Sequence, residues 1–307
     1  MTKSITYNGS DLILAPIAGF SDSGMRTLCF EYGAGLCFTE MVSAKGLHYK
    51  NENTAELLHI GNEEKNTGVQ IFGSDAEIIA ETVCSEQLKF FDIIDINMGC
   101  PVPKVVKNGD GSALLNNPEL VYKIVHKAKQ VAGEKKITVK IRKGIYGKIC
   151  AKEVALAAQE GGASMVTVHG RSREQMYSGT VDYDIIAEVK QSLKIPVCGN
   201  GDVTDKISYA KMKQTGVDYV MIARGAIGRP YVFAVAHGEN PEYNIKELIK
   251  KHIECLSFLP DRVVAGTMKK QIAAYLKGVP GQKKIKEAVF SAETLEEINA
   301  ILNGLLV

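Results

Sequence analysis

The chain has no long hydrophobic run and no tract of low complexity. Its apolar stretches are all shorter than the roughly 20 residues that a membrane-spanning helix needs. Residues 1–8 also lack the apolar core of a secretory signal peptide. With 307 residues, 45% hydrophobic and 23% charged, the composition predicts a soluble protein with one large domain and room for a small one. We expect a monomer that makes no contact with a membrane.

The sequence also lacks closely spaced cysteine pairs and a strong net charge. The seven cysteines include no C-x-x-C pair and are odd in number. This usage predicts reduced thiols in a cytoplasmic protein, without a disulfide framework or a zinc site. The formal net charge of +2 is too small to predict a partner.

Short apolar segments alternate with helical segments, eight times over about 235 residues, and no strand hairpin is evident. Alternation of this kind implies parallel strands joined by right-handed crossovers. The number of units and their length predict an α/β fold, a (β/α)8 TIM barrel, with a doubly wound sheet as the alternative. The predicted strands are 12–16, 36–40, 68–73, 90–96, 137–142, 165–170, 195–199 and 219–223.

A polar or distinctive residue lies at or just past the end of each predicted strand. In a barrel, the groups that bind and react lie at the carboxyl ends of the strands. A complete ring of such groups is difficult to explain by solvation alone, so it predicts an active site there. The ring consists of Pro16, Glu40, Gln70, Asn97, Lys140, His169, Asn200 and Arg224.

The fourth strand ends in Asn97-Met98-Gly99-Cys100-Pro101, which places a thiol on a loop. A free cysteine is often no more than a buried structural residue. With an ordinary pKa of about 8.5, however, a thiol is mostly protonated at pH 7 and can act as a general acid. A nucleophile would need a depressed pKa, and nothing in this stretch obviously supplies one.

Glycine-containing loops follow the last two predicted strands, at Gly199-Asn200-Gly201-Asp202 and at 223–229. Barrels often bind a phosphate between these loops, through backbone N–H groups and a short helix. Arg224 can add a bidentate contact. Tight turns without a ligand are the alternative.

Three members of the ring, Gln70, Lys140 and His169, can all hydrogen-bond a flat ring that is rich in carbonyl groups. An isoalloxazine is such a ring, and a cation near its N1 and O2 stabilises the reduced, anionic form. A flavin therefore suits the site.

Several motifs follow one another over residues 11–233, at 15–19, 95–101, 111–115, 140–142, 168–171, 177–179, 200–202 and 228–230. In these stretches the chain resembles the bacterial tRNA-dihydrouridine synthases, and the Asn-Met-Gly-Cys-Pro segment is specific. Related motifs occur in dihydroorotate dehydrogenases, but the Lys-Ile-Arg and His-Gly-Arg elements fit the tRNA enzymes better.

The resemblance implies a bound FMN, NADPH as the reductant and tRNA as the substrate. Reduced FMN would deliver hydride from N5 to C6 of a uracil, and Cys100 would protonate C5 to give 5,6-dihydrouridine. A uracil in folded RNA must be flipped out to reach a buried flavin. The resemblance implies that Asn97 holds the uracil, and we expect Arg171 and Tyr177 to reach it or its backbone. The implied flavin residues are Pro16, Ile17, Ala18, Gln70, Lys140, His169, Asn200, Gly201, Asp202, Arg224 and Gly225.

Three positions depart from the family's pattern. Ile17 stands where the family usually has Met, and Ala223 stands where a Gly usually precedes the Arg. Lys269-Lys270-Gln271 replaces the common Arg-Lys-His, which puts some RNA contacts in question.

Residues 239–307 differ in character, because 244–256, 263–276 and 294–305 are amphipathic and separated by Pro and Gly. We expect residues 1–238 to form the FMN-binding barrel domain and residues 239–307 a small all-α domain that binds tRNA. A merely solvated helix face is the alternative for its basic residues. These are Arg262, Lys269, Lys270, Lys277, Lys283, Lys284 and Lys286, in a stretch without Asp or Glu.

Two other classes stay open. A flavin barrel that acts on a free small pyrimidine, like the dihydroorotate dehydrogenases, would not need a basic helical segment. A catalytically silent barrel that binds RNA or phosphate would have no reason to keep a thiol opposite Lys140 and His169. Because the sequence contains no dinucleotide-binding fingerprint, NADH stays open as the alternative to NADPH.

Overall fold

The computed structural model describes residues 5–6, 9–51, 54 and 56–304. Its barrel strands are β1 Leu12–Leu14, β2 Leu36–Ser43, β3 Thr67–Phe72, β4 Ile93–Met98, β5 Lys136–Arg142, β8 Met165–His169, β9 Val197–Asn200 and β10 Tyr219–Ile222. They form a closed barrel in the order β1-β10-β9-β8-β5-β4-β3-β2, with parallel pairing throughout. The predicted (β/α)8 barrel is confirmed.

Two strands begin later than the sequence suggests. β4 starts at Ile93 and not at Phe90, which is 76% exposed and lies in a turn after the 3-10 helix Glu86–Leu88. β9 starts at Val197, just after Pro196, because proline has no N–H to donate to a ladder. A prediction from apolar residues alone therefore begins both strands, β4 and β9, too early in the sequence.

A small antiparallel hairpin, β6 Gly144–Ile145 with β7 Lys148–Ile149, interrupts the alternation after β5. The expectation of no hairpin was wrong here. Tyr146 and Gly147 form the two-residue turn with φ of 54° and 75°. Positive φ at both central residues is the geometry of a type I′ turn. The sequence did not predict this turn, because a tyrosine stands where Asn or Asp is usual.

Helices cover the outside of the barrel, and their caps follow local sequence. Asp75 and Asn117 accept hydrogen bonds from the first-turn N–H groups of their helices, and Pro118 occupies the first helical turn. The helices in the described residues up to 238 are α1 Ser23–Glu31, α2 Ala44–His48, α3 Ala76–Val83, α4 Pro103–Lys107, α5 Pro118–Val131, α6 Ala151–Glu160, α7 Tyr183–Ser192, α8 Lys206–Lys213 and α9 Val232–His237.

After residue 238 the described chain is helical, with α10 Ile245–Cys255, α11 Asp261–Tyr275, α12 Gln282–Ser291 and α13 Leu295–Asn303. The sequence did not predict α12, because Val289 is its only buried residue. The predicted end of the last helix at Leu305 lies outside the described residues. These four helices share a hydrophobic core that also includes Leu28 of α1. The boundary at residue 238 stays a prediction.

A buried polar cluster joins this core to the barrel. His252 Nε2 lies 2.7 Å from Asp22 Oδ1, and its Nδ1 lies 3.0 Å from the Tyr275 hydroxyl. Gln271 donates to Asp22 Oδ2 at 2.8 Å. Gly24 allows this approach, since a Cβ there would lie 2.2 Å from His252 Cδ2. No helix in the described part of the chain is long and apolar enough to cross a membrane.

Candidate active site

The carboxyl ends of the barrel strands open into a cavity of about 1180 Å³. Glu40 is not among its lining residues; it accepts the Gly19 N–H at 2.5 Å and so fixes the turn after β1. Arg171 does not line the cavity either. The other predicted site residues all do, namely Pro16, Ile17, Ala18, Gln70, Asn97, Cys100, Lys140, His169, Tyr177, Asn200, Gly201, Asp202, Arg224 and Gly225.

A chain of side-chain hydrogen bonds forms the floor of the cavity across three strands. Asn97 Nδ2 donates to Gln70 Oε1 at 2.8 Å, and Gln70 Nε2 donates to Asp95 Oδ2 at 2.7 Å. Thr138 Oγ1 donates to the other oxygen of Asp95 at 2.6 Å. Asp95 is fully buried, and burial raises its pKa to about 6 against the hydrogen bonds from Thr138 and Gln70 and the charge of Lys140.

The loop after β4 is held to this chain through Asn97. Its Oδ1 accepts the backbone N–H of Gly99 at 3.1 Å and that of Cys100 at 2.8 Å. Cys100 is buried, and burial raises its pKa, although the Val102 N–H and the Arg142 charge oppose this. Cys100 is therefore a neutral thiol at pH 7, which suits a proton donor better than a nucleophile.

Opposite this loop lie Lys140, Asn200 and His169. Lys140 Nζ donates to Asn200 Oδ1 at 3.0 Å, and Asn200 Nδ2 donates to the Met221 carbonyl at 2.8 Å. Burial and the charge of Arg142 lower the pKa of Lys140 to about 8. Burial and the charge of Lys140 lower the pKa of His169 strongly, so its imidazole is neutral. The site thus presents one ammonium and one neutral ring to a ligand.

Arg171 is the buried first residue of the loop 171–179, and its guanidinium group is hydrogen-bonded to other protein groups. It makes a bidentate pair with Asp202, at 2.9 and 2.5 Å, and donates to the carbonyl groups of Ser178 and Gly179. The exposed Arg224 contacts the same carboxylate at 3.1 Å. The guanidinium of Arg171 therefore holds the loop in this structure, and its contact with a substrate stays a prediction.

Arg142 connects the thiol loop to the loop that carries Tyr177. Its Nε donates to the Gly99 carbonyl at 2.8 Å, and its Nη1 donates to the carbonyl groups of Ser172 and Met176. The Tyr177 ring lies over the guanidinium groups of Arg142 and Arg224, at 5.9 and 5.0 Å. The half-exposed tyrosine therefore stands at the rim of the cavity.

The two glycine loops are shaped by packing as well as by any ligand. A Cβ on Gly201, which has φ of +139°, would lie 2.6 Å from a methyl group of Val181. A Cβ on Gly225 would lie 2.4 Å from the Val203 carbonyl oxygen. These positions exclude a side chain even in the absence of a ligand.

The departures from the family pattern fall in different places. Ile17 and Ala223 line the cavity. Gln271 is fully buried and donates to the Phe20 carbonyl and to Asp22, so it faces the junction and not a ligand. Lys270 is exposed, and its Nζ lies 5.8 Å from the centre of the Phe20 ring at the rim.

Sequence reasoning assigned no role to Asp95 or to Arg142. A lone carboxylate in the middle of the apolar strand 93–98 was the available signal for Asp95. Arg142 was visible only as part of a motif. The sequence did not predict that Arg229, Tyr231 and Tyr243 share a cavity wall with Lys277, because these residues belong to distant segments. No group of three or more His, Cys, Asp or Glu in the described residues could hold a metal ion.

Known proteins are similar to this chain over most of its length. The family model described as dihydrouridine synthase matches residues 13–305. The tRNA-dihydrouridine synthase B of Pseudomonas putida KT2440 is 37% identical over 304 residues, which cover 95% of this chain and 89% of that protein. The enzyme of the same name from Escherichia coli K12 is 40% identical over 226 residues, 72% of this chain and 70% of that protein. The match to the family model and to these relatives shows that this chain belongs to the dihydrouridine synthase family.

Proposed function

We propose that this chain reduces the C5–C6 bond of uridines in tRNA to 5,6-dihydrouridine, with FMN in the barrel mouth and NADPH as the reductant. Relatives named tRNA-dihydrouridine synthase B support the reaction and the substrate. The observation that carries the proposal is the position of Cys100, whose backbone N–H is held by Asn97 in the cavity that Lys140 and His169 also line.

The residues of the cavity fit a flat, anionic cofactor. Lys140 offers an ammonium, neutral His169 offers a ring nitrogen, and Gln70 keeps a second N–H beyond the one that it gives to Asp95. When bound, FMN supplies the hydride that adds to C6 of the uracil. The Lys140 charge stabilises negative charge on the ring after reduction.

Arg224 is the group best placed to bind the phosphate of the cofactor. Its side chain is 47% exposed and shares Asp202 with Arg171. Because Arg171 already pairs with this carboxylate through two hydrogen bonds, Arg224 can turn toward a phosphate without leaving Asp202 unpaired. The N–H groups of the two glycine loops complete an anion site.

Asn97 and Cys100 act on the uracil. The second N–H of Asn97 Nδ2 faces only Met41 Sδ at 3.9 Å, and a thioether is a weak acceptor that a uracil carbonyl can replace. As hydride adds to C6, Cys100 gives its proton to C5, so one hydride and one proton saturate the bond. The charges of Arg142 and Lys140 then stabilise the thiolate until it regains a proton from solvent.

The helical segment after residue 238 supplies the RNA surface in this proposal, with residues 1–238 as the catalytic domain. Exposed lysines extend from the cavity rim across this segment and can pair with phosphates. A flipped uridine enters the cavity past Tyr177 at its rim. The lysines are Lys270, Lys277, Lys283 and Lys284.

The direct test is product analysis. Unmodified tRNA is incubated with the FMN-loaded protein and NADPH, digested to nucleosides and examined by mass spectrometry for a gain of two hydrogens on uridine. The proposal expects dihydrouridine in tRNA and no reaction with free uracil or orotate. Reduction of the free pyrimidine instead would overturn the proposal in favour of a small-molecule flavoenzyme.

A further inference from the structure

We propose that Asp95 is a positioning residue whose carboxylate, acting through the amides of Gln70 and Asn97, holds the backbone that carries Cys100. The functional consequence rests on the proposed role of Cys100 as the proton donor. The structural part concerns the chain alone.

The path from Asp95 to the thiol loop is continuous. Asp95 accepts from Gln70, Gln70 accepts from Asn97, and Asn97 accepts from the N–H groups of Gly99 and Cys100, all within 3.1 Å. Asp95 and Gln70 are at most 1% exposed. Water is therefore poorly placed to substitute for a lost partner, and an unmade bond would carry its full desolvation cost.

The groups at the two ends of this chain of hydrogen bonds, the relay, determine which atoms donate and which accept along it. The N–H groups of Gly99 and Cys100 can only donate, so Asn97 must turn its oxygen to them and its nitrogen to Gln70. Gln70 must then present its oxygen to Asn97 and its nitrogen to an acceptor. Asp95 is that acceptor, and Thr138 holds its other oxygen.

Loss of the acceptor at position 95 would release both amides. Gln70 Nε2 would lose its buried partner, and a turned Gln70 would face Asn97 with nitrogen against nitrogen. Asn97 could then no longer hold its oxygen against the Cys100 N–H. An asparagine at position 95 behaves differently, because its amide oxygen can still accept from Gln70 while its nitrogen donates to Thr138 Oγ1.

The structural test is amide hydrogen exchange of the flavin-free chain, followed by mass spectrometry on peptides that include Gly99 and Cys100. Asp95→Ala is expected to speed exchange of these two amides at least tenfold, whereas Asp95→Asn and Thr138→Val leave it within about threefold of wild type. If Asp95→Ala does not fold, Asp95→Val removes the same acceptor with a residue that suits a strand. Unchanged exchange in the folded Ala or Val variant would overturn the proposal, as would an equal increase with Thr138→Val.

The functional test measures kcat for uridine reduction and KM for tRNA separately. Asp95→Ala is expected to lower kcat for uridine reduction tenfold to a hundredfold, on the order of the loss from misplacing a reacting group by about 1 Å, with little change in KM for tRNA. Asp95→Asn should restore most of the activity. An equal loss in the Asn variant would contradict the relay. If the wild-type chain did not reduce tRNA, the proposed function would fall, while the exchange data would still decide the structural part.

Discussion

Lys140 and Asn200 meet across the barrel mouth, where the ammonium of one donates to the amide oxygen of the other at 3.0 Å. They lie on β5 and β9, which are separated in the barrel by β8 and its terminal His169. The contact places a cation beside a neutral imidazole, both facing the cavity. Because burial and the charge of Arg142 lower the pKa of Lys140 only to about 8, its amine is still mostly protonated at pH 7.

The first prediction concerns this charge. Because the pKa of Lys140 is about 8, its ammonium is present below that pH and is lost as the pH rises through it. The rate of flavin reduction by NADPH should therefore fall between about pH 7.5 and 9.5. In Lys140→Met, flavin reduction, followed by absorbance, should be slow at every pH and should not fall further at high pH. If the fall in rate at high pH persisted in Lys140→Met, it would reflect the titration of another group. Lys152→Met, on the surface, is the matched control.

Arg171 supports a second prediction, which separates a structural from a substrate-binding role. Arg171→Met should lower the free energy of unfolding by about 1–3 kcal/mol, because a buried guanidinium pair is removed while Asp202 stays half-exposed and keeps Arg224. KM for tRNA should change less than about threefold. Urea unfolding and steady-state kinetics measure both quantities. Arg262→Met, at an exposed position, is the stability control, with an effect within about 0.5 kcal/mol. A tenfold rise in KM for Arg171→Met would restore Arg171 as a substrate contact.

Two glycines offer a matched pair for the third prediction. Gly24→Ala places a methyl group 2.2 Å from His252 Cδ2 and should destabilise the chain by about 1–3 kcal/mol through overpacking at the junction. Gly266 lies within α11, and a Cβ added there would meet nothing within 4 Å. Gly266→Ala should therefore stabilise by up to about 1 kcal/mol. Thermal unfolding of both variants tests the junction, and equal effects would contradict it.

The sequence predicted the barrel because strands buried on both faces are continuous apolar runs, as in β1 and β10. The rule that functional groups lie at strand ends brought Gln70, Asn97, Lys140 and His169 to one cavity, although Gln70 and Lys140 lie within β3 and β5 and not past their ends. The same rule does not say where a side chain points. Glu40 was predicted at a strand end as well, but β2 continues to Ser43, and the Glu40 carboxylate is directed to the Gly19 N–H.

Other features depend on contacts between distant segments. Whether Arg171 faces a ligand or a protein carboxylate is decided by Asp202, 31 positions later. The helix α12 carries a lone buried apolar residue, Val289, so its sequence has little periodicity to detect. The donor and acceptor order of the floor could not be read from Asp95 alone, because three strands contribute to it.

The fourth prediction concerns the RNA surface. Lys277 and Lys283 are on the helical segment, and Lys277 also lines the cavity. Replacing both with alanine should weaken tRNA binding and reduce the slope of log K against log salt by about 0.7–0.9 for each phosphate that is no longer neutralised. The exposed Lys123 and Lys194 lie elsewhere on the chain, and their double alanine variant is the control. Equal reductions in both variants would indicate nonspecific attraction rather than a binding face.

The most direct measurement of the central claim is anaerobic reoxidation of the NADPH-reduced, FMN-loaded protein, followed by flavin absorbance. Unmodified tRNA and fumarate serve as alternative acceptors, with wild type compared with Cys100→Ala. We expect fast reoxidation by tRNA alone, slowed about 10²- to 10⁴-fold by removal of the buried thiol acid, with reduction by NADPH unchanged. Fast reoxidation by fumarate alone, or tRNA-dependent reoxidation that does not need Cys100, would contradict it.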